Sequence, residues 1–379
     1  MNFYVYHTFS KSMCFILSHN LQDRIIDEKS NTISGYYKNV PIKFIFTENF
    51  VEDKSSYHIL FRHYAVKRNS IFKELLEHNT ELRLPDAFSH EYKILLNKLD
   101  FNYKWILFWN FGENMFIHLG EANIENSNEI SMLKELSEKT IFFTDNLIKD
   151  TFNLEKDNFK TCFTNDLYYW NSWIGLSITY DYSNIHKRLS FPYKIGVSFR
   201  SKRRRRIEML EKIKEINSSD IFINNVSTDS IDLENYWDLM GTGEVSFGLD
   251  YYFKYLHKAR VHILDETHSN AFSKKLPYNL TEKTYLFLVG AIPFIPTNVY
   301  ILDCIEKHIG GSKYPFYDDI NLFDESVTPF ISFIEKFLNN YDSMYSFLEK
   351  WTDEIHNIAM NRIKKENSFL DYLVSNEIN

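Results

Sequence analysis

The chain has 379 residues, 44% apolar and 25% charged, enough for a large core and more suited to two domains than one. Its net charge of −8 excludes a surface that is basic throughout. Cys14, Cys162 and Cys304 stand far apart, show neither a disulfide framework nor metal-ligand spacing, and fit a reducing compartment, the cytoplasm (the host's, for a viral protein).

The opening, MNFYVYHTFSKSMCFILSHN, lacks the basic start and long apolar core of a signal peptide and reads as a buried strand. Strands are expected over 3–7, 42–47, 105–111, 115–119 and 140–144, all rich in Phe, Ile, Tyr and Trp. A helical pattern over 128–136 brings Ile130, Leu133 and Leu136 near one face, and the strand TIFFTD follows directly. Alternation of this kind predicts an α/β fold with a mostly parallel sheet.

A linker is expected near 183–189, dividing the chain into domains 1–186 and 187–340 and a helical tail, 341–379. The second domain repeats the alternation. A strand over 193–199 leads to a helix over 206–216, with Ile207, Leu210 and Ile213 in helical register. A strand over 220–226, a helix over 250–258 and a strand over 261–264 follow. Then come a helix over 282–289, a turn at Gly290 and a strand over 292–295, completing a second doubly wound unit. The apolar stretch 285–302 is marginal against the ~20 residues of a membrane span. Pro293 and Pro296 would also leave backbone groups unsatisfied in lipid. In the tail, Phe347, Trp351, Ile355, Ile358, Ile363 and Leu370 recur at helical spacing, and the last helix is expected to return to the first domain.

Three clusters fall at strand ends of the second domain, where open α/β sheets bind ligands. In SFRSKRRRRIEML a strand ends, Arg200 follows, and Arg203 to Arg206 lead into a helix. Arginine opposes the helix dipole there, so the run needs a reason: a solvated face, a nucleic-acid patch, or an anion held by unpaired N–H groups and guanidinium forks. In VHILDETHSN, Asp265 and Glu266 close a strand, where a carboxylate can accept from a ribose or sugar hydroxyl; a surface acid is the plainer reading. In YNLTEKTYLFLVGAIPFIPT, Thr281 can cap the helix and Glu282 suits its dipole, whereas Lys283 calls for an anion nearby. GTGEVSFG, at 241–248, lacks a full phosphate-loop pattern and reads as a loop bordering the site. The 13 histidines show no metal spacing, and His262 reads as a satisfied core residue.

Taken in order, these clusters resemble the C-terminal donor-binding domain of GT-B glycosyltransferases, most closely the α-1,3-fucosyltransferase and exostosin-like group and related bacterial and viral sugar transferases. The resemblance runs over 193–316, with its strongest part at 261–295. It implies two Rossmann-like domains facing a cleft and a nucleotide-sugar donor, UDP- or GDP-linked, with no further cofactor and no metal. Carried over, Arg200, Arg203 and Arg206 would contact the diphosphate, Glu266 the ribose or sugar, and Thr281, Glu282 and Lys283 the sugar-phosphate region. The acceptor would be a glycan, a protein or DNA. An inverting enzyme also needs a base in the first domain. Glu113, after WILFWNFG, is the candidate, with Glu48, after IKFIFT, behind it; a surface acid is the plainer reading of both. The first half departs from the fucosyltransferases and carries no matching motif. The competing class is a non-catalytic nucleic-acid-binding or structural protein that uses the Arg200–Arg206 run.

Overall fold

Runs of β-branched and aromatic residues build two sheets, and the segments between them supply the covering helices. The computed structural model describes residues 1–6, 9, 14, 17–62, 96–97, 99–109, 127–144, 162–164, 190–198, 204–224, 258–265, 284, 287–288, 290–324, 326–365 and 368–377.

The first sheet joins β1 (Asn2–Val5), β2 (Gln22–Asp27), β3 (Thr32–Tyr37), β4 (Val40–Phe46), β5 (Tyr57–Arg62), β6 (Lys104–Trp109), β7 (Ile141–Thr144) and β8 (Cys162–Thr164). Their spatial order is β2-β3-β4-β1-β5-β6-β7-β8. From β4 to β8 every pairing is parallel, whereas β2 and β3 are antiparallel additions at one edge. Lys38 and Asn39 both take positive φ, 48° and 65°, as a two-residue hairpin turn matched to strand twist requires. Helix α1 (Ser127–Lys139) buries Leu136 and runs into β7.

The second sheet joins β9 (Tyr193–Ser198), β10 (Ile221–Asn224), β11 (Ala259–Leu264) and β12 (Phe294–Pro296) in the order β10-β9-β11-β12, all parallel. Helix α2 (Arg204–Glu215) follows β9, and α3 (Val299–His308) follows β12. The short α4 (Tyr317–Ile320) and a 3-10 turn (Asn321–Asp324) lead to α5 (Val327–Asn339) and the long α6 (Tyr341–Lys365). Ile195, Val261 and Ile295 from the strands meet Met209, Leu302, Phe330 and Trp351 from the helices in one core. A separate core holds Phe3, Phe44, Ile59, Ile106 and Phe143. Leu370, Leu373 and Val374 of the last helix, α7 (Ser368–Glu377), complete that first core, so the chain's end does return to the first sheet.

The expected α/β fold class, with two Rossmann-like sheets, is what the chain adopts. Some details differ. The opening is a strand only over Asn2–Val5; Cys14, Leu17 and Ser18 beyond it are helical. Ile207 is exposed, because α2 buries the stripe of Met209 and Ile213 instead. Phe347 is 57% exposed, one step off the face of α6 that buries Leu348, Trp351 and Ile355. The tail is two helices where one continuous pattern was expected. The turn before β12 uses Ala291, at φ 46°, as its left-handed residue, next to Gly290. The strand expected at 115–119, the loop 241–248, and the helix expected over 250–258, but for Lys258, lie outside the described residues. Among the described residues no helix is long and apolar enough to cross a membrane.

Candidate anion-binding site

In the second sheet the chain winds one way from β9 to β10, then crosses back to β11 on the other side of β9. The crossover lies between β9 and β11, and a doubly wound sheet holds its ligands beyond the carboxyl ends of such a pair. The residues at these ends are Ser198 on β9, with the first turn of α2 soon after, Asp265 past β11, and Thr297 and Asn298 past β12.

These ends are tied together by a buried charge network. Arg206, in the first turn of α2, is only 5% exposed. Its Nε donates to Asp265 Oδ2, and its Nη2 donates to the Asp265 carbonyl at 3.0 Å. Thr297 Oγ1 donates to the other carboxylate oxygen of Asp265. Neighbouring Arg205 donates from Nη2 to the Thr297 carbonyl at 3.2 Å and to the Phe323 carbonyl at 2.7 Å. One carboxylate thus serves an arginine and a hydroxyl, while a second arginine caps carbonyls from two other segments. Burying such charge costs free energy unless its hydrogen bonds are met, and here they are largely met.

Neither α2 nor α3 has an acidic residue in its own first turn; the carboxylate held against both helix starts is that of Asp265. Asn298 caps α3, its Oδ1 accepting from the Ile301 N–H at 3.2 Å. Its Nδ2 is buried without a partner. Beneath the site, His262 is buried on β11, with Nε2 donating to the Ala259 carbonyl at 3.1 Å. Its ring lies against Gly196 of β9, where a Cβ would come within 2.6 Å of the imidazole. The helix expected over 282–289 is helical at Thr284, Phe287 and Leu288, all buried.

The sequence candidates fall out as follows. Arg206 was expected on a diphosphate; the structure spends its guanidinium on Asp265, within the protein. Arg200, Arg203, Glu266, Thr281, Glu282 and Lys283 lie outside the described residues, and so does Glu113. Glu48 is exposed just past the carboxyl end of β4. Sequence reasoning missed Arg205, Thr297 and Asn298 as members of the site. The Thr-Asn pair directly after β12, before a helical pattern, was the available capping signal. Among the described residues no cluster of His, Cys, Asp and Glu could hold a metal ion.

No family model matches the chain, and no curated protein does. Among solved structures it is similar to a protein titled UDP-N-acetylglucosamine 2-epimerase from Listeria monocytogenes, at 11% identity and a TM-score of 0.39, over 96% of this chain and 94% of that one. A likeness this slight carries no argument about the site or its chemistry.

Proposed function

We propose that the chain is a glycosyltransferase that takes a sugar from a UDP- or GDP-linked donor held at the β9/β11 crossover. The observation that carries this reading is the placement of an arginine-led helix start at that crossover, tied to the ends of β11 and β12 by the Arg206–Asp265–Thr297 network.

In this reading the acceptor oxygen bonds to the sugar's anomeric carbon, the bond from that carbon to the donor's phosphate oxygen breaks, and the nucleoside diphosphate leaves with its negative charge. Arg200, Arg203 and Lys283 meet that charge, which is stabilisation of the transition state by preorganised donors; no metal is called for. Glu266 takes the ribose or sugar hydroxyls, and Thr281, Glu282 and Lys283 hold the sugar-phosphate region. Arg206 acts through Asp265, holding the loop ends in place. A first-domain carboxylate, Glu113 or Glu48, removes the acceptor's proton. The acceptor is a glycan, a protein or DNA.

The rival reading, a nucleic-acid-binding or structural protein working through Arg200–Arg206, is weakened by one observation. Arg205 and Arg206 face protein carbonyls and a carboxylate, so the run is not a row of free phosphate ligands.

Thermal shift against a panel of nucleoside diphosphates and nucleotide sugars tests the proposal, with wild type, Lys283→Ala and Arg203→Ala side by side. Stabilisation by one nucleotide, lost in the variants, is the expected result and names the base. No shift at millimolar ligand, together with nucleic-acid binding that weakens steeply with salt, would move the function to the basic run.

A further inference from the structure

We propose that Lys194, Arg260 and Tyr341 form a binding site for a phosphate-class oxyanion at the amino edge of the second sheet. Lys194 is the second residue of β9 and Arg260 the second of β11. The two strands pair in parallel, with Ala259 beside Tyr193 and Val261 beside Ile195, so Lys194 and Arg260 stand side by side on one face. Tyr341, the first residue of α6, lies against both: its ring centroid is 5.2 Å from Lys194 Nζ and 5.9 Å from Arg260 Cζ. The place is distinct from the crossover site. Ser198 marks the carboxyl end of β9, about 13 Å of strand beyond Lys194.

Two polar groups at this corner are buried and unmet. Tyr341 is 5% exposed, and its buried hydroxyl has no hydrogen-bond partner; the buried Nε of Arg260 has none either. Both are donors. A guanidinium carries no acceptor atom. Burial pushes the Tyr341 hydroxyl up to about 12, outweighing the nearby positive charge of Arg260, so the hydroxyl keeps its proton. Leaving buried donors unpaired is costly, and the acids around them do not supply the acceptor. Asp220 forms an ion pair with Lys194 at 2.8 Å, Glu349 accepts from the Tyr345 hydroxyl at 2.9 Å, and Asp342 is exposed. Among the described residues no carboxylate pairs with Arg260.

The class of ligand follows from these donors. A guanidinium, a protonated hydroxyl and an ammonium call for acceptors in several directions and for a negative charge to balance Arg260. A water molecule brings further protons and no charge. A tetrahedral oxyanion offers an acceptor at each corner, and arginine meets it with forked donors. Entry is from the amino edge, where the Lys194 side chain is 35% exposed and Arg260 is half-buried. The ligand is inorganic phosphate or the phosphate of a phosphomonoester, which share this chemistry.

Equilibrium dialysis of the full chain against radiolabelled inorganic phosphate, at constant ionic strength, tests this. The wild type is expected to bind phosphate saturably in the millimolar range or below. Arg260→Gln should weaken binding about 10-fold or more and Tyr341→Phe about 5-fold, as the loss of a charged and of a neutral hydrogen bond. Lys194→Gln should weaken it as well, whereas Arg203→Ala, at the proposed donor site, should leave it unchanged. Circular dichroism establishes that the variants fold; if Arg260→Gln does not, Tyr341→Phe, which keeps the ring, and Lys194→Gln decide. Competition by glycerol 3-phosphate separates the two sources. Displacement stronger than by unlabelled phosphate assigns the site to an ester, weaker displacement to the free ion, and either supports it. A wild type that binds no phosphate would overturn the proposal. So would binding that the Arg260, Tyr341 and Lys194 variants leave intact, or binding that Arg203→Ala abolishes.

Discussion

Asp265 and Arg206 are nearly removed from water, and each offsets much of the cost of burying the other. Asp265→Ala would take the carboxylate from the buried guanidinium and from the Thr297 hydroxyl; it is expected to cost about 3–5 kcal/mol in denaturant unfolding. Replacing both partners, Arg206→Met with Asp265→Leu, should cost far less than the sum of the single changes, because no unpaired charge remains. Equal and additive losses would show that the pair is not the coupled unit described. Sequence reasoning had singled out both residues, but their 59-residue separation carries no local signal of pairing, and each was judged by its own strand end. A second buried group, His58, links stability to pH. Its Nε2 donates to the Asp53 carbonyl at 2.8 Å, and its Nδ1 accepts from the Tyr6 hydroxyl at 2.6 Å. The Tyr4, Tyr6, Phe50, Tyr103 and Trp105 rings surround it. Burial holds the imidazole below its ordinary 6.5, against the pull of Asp53. The folded form therefore binds fewer protons than the unfolded one, and stability is full above about 6.5 and falls as the pH drops toward the folded value. Asp53 itself, drawn down to about 2 by Ser55 and Ser56, loses its share only below its ordinary 3.8. Between pH 7 and 5, His58→Gln should flatten the stability–pH slope by up to about 1.4 kcal/mol per pH unit; an unchanged slope would remove His58 as its source.

At the scale of elements, most of the parallel strands were legible, β10 and β12 at the edges of the second sheet included, whereas the central β5 and the edge strands β2, β3 and β8 of the first sheet were not. Strands β1, β4, β6, β7, β9 and β11 are short apolar runs whose composition announces them. The β2–β3 hairpin escaped because QDRIID has no clean alternation and its turn residues, Glu28 to Asn31, are not the Asn-Gly type that marks hairpins. Helix α3 escaped because the prolines of IPFIPT drew attention to the turn and away from the Asn298 cap behind it. The adjacency of β9 and β11 shows most sharply at Gly196, which admits the His262 ring by having no Cβ. Gly196→Ala is expected to destabilise by about 1–3 kcal/mol through overpacking. Adding His262→Ala should recover part of that loss, as the methyl then occupies vacated space. A harmless Gly196→Ala, measured by thermal or urea unfolding, would mean that the strands can part without cost.

At the scale of the whole molecule, among the described residues, the C-terminal helices link the two cores. Helix α6 belongs to the second core, where Trp351 packs edge-on to Tyr314 at 4.8 Å and its Nε1 donates to the Ser312 carbonyl at 2.9 Å. Helix α7 starts only three residues after α6 ends, and belongs to the first core. There Leu370 and Leu373 are buried, the Tyr37 hydroxyl donates to Asp371 at 2.8 Å, and Lys38 forms an ion pair with the same carboxylate. The returning tail was legible as an amphipathic pattern and its return to the first domain was expected; the contacts of Asp371 with Tyr37, 334 residues away, and Lys38 show where on that sheet it docks. Leu370→Ala removes a fully buried side chain from that sheet's core and is expected to cost about 2–5 kcal/mol. Because the change lies in one core, hydrogen exchange should read it unevenly. Backbone amides at Phe44, Ile59 and Ile106 should lose protection, while those at Ile195, Ile263 and Ile295 should keep most of theirs. Equal loss in both sheets would mean that the two cores unfold as one cooperative unit, with α6 and α7 transmitting the damage; no loss in either would mean that α7 adds little to the first core beyond covering it.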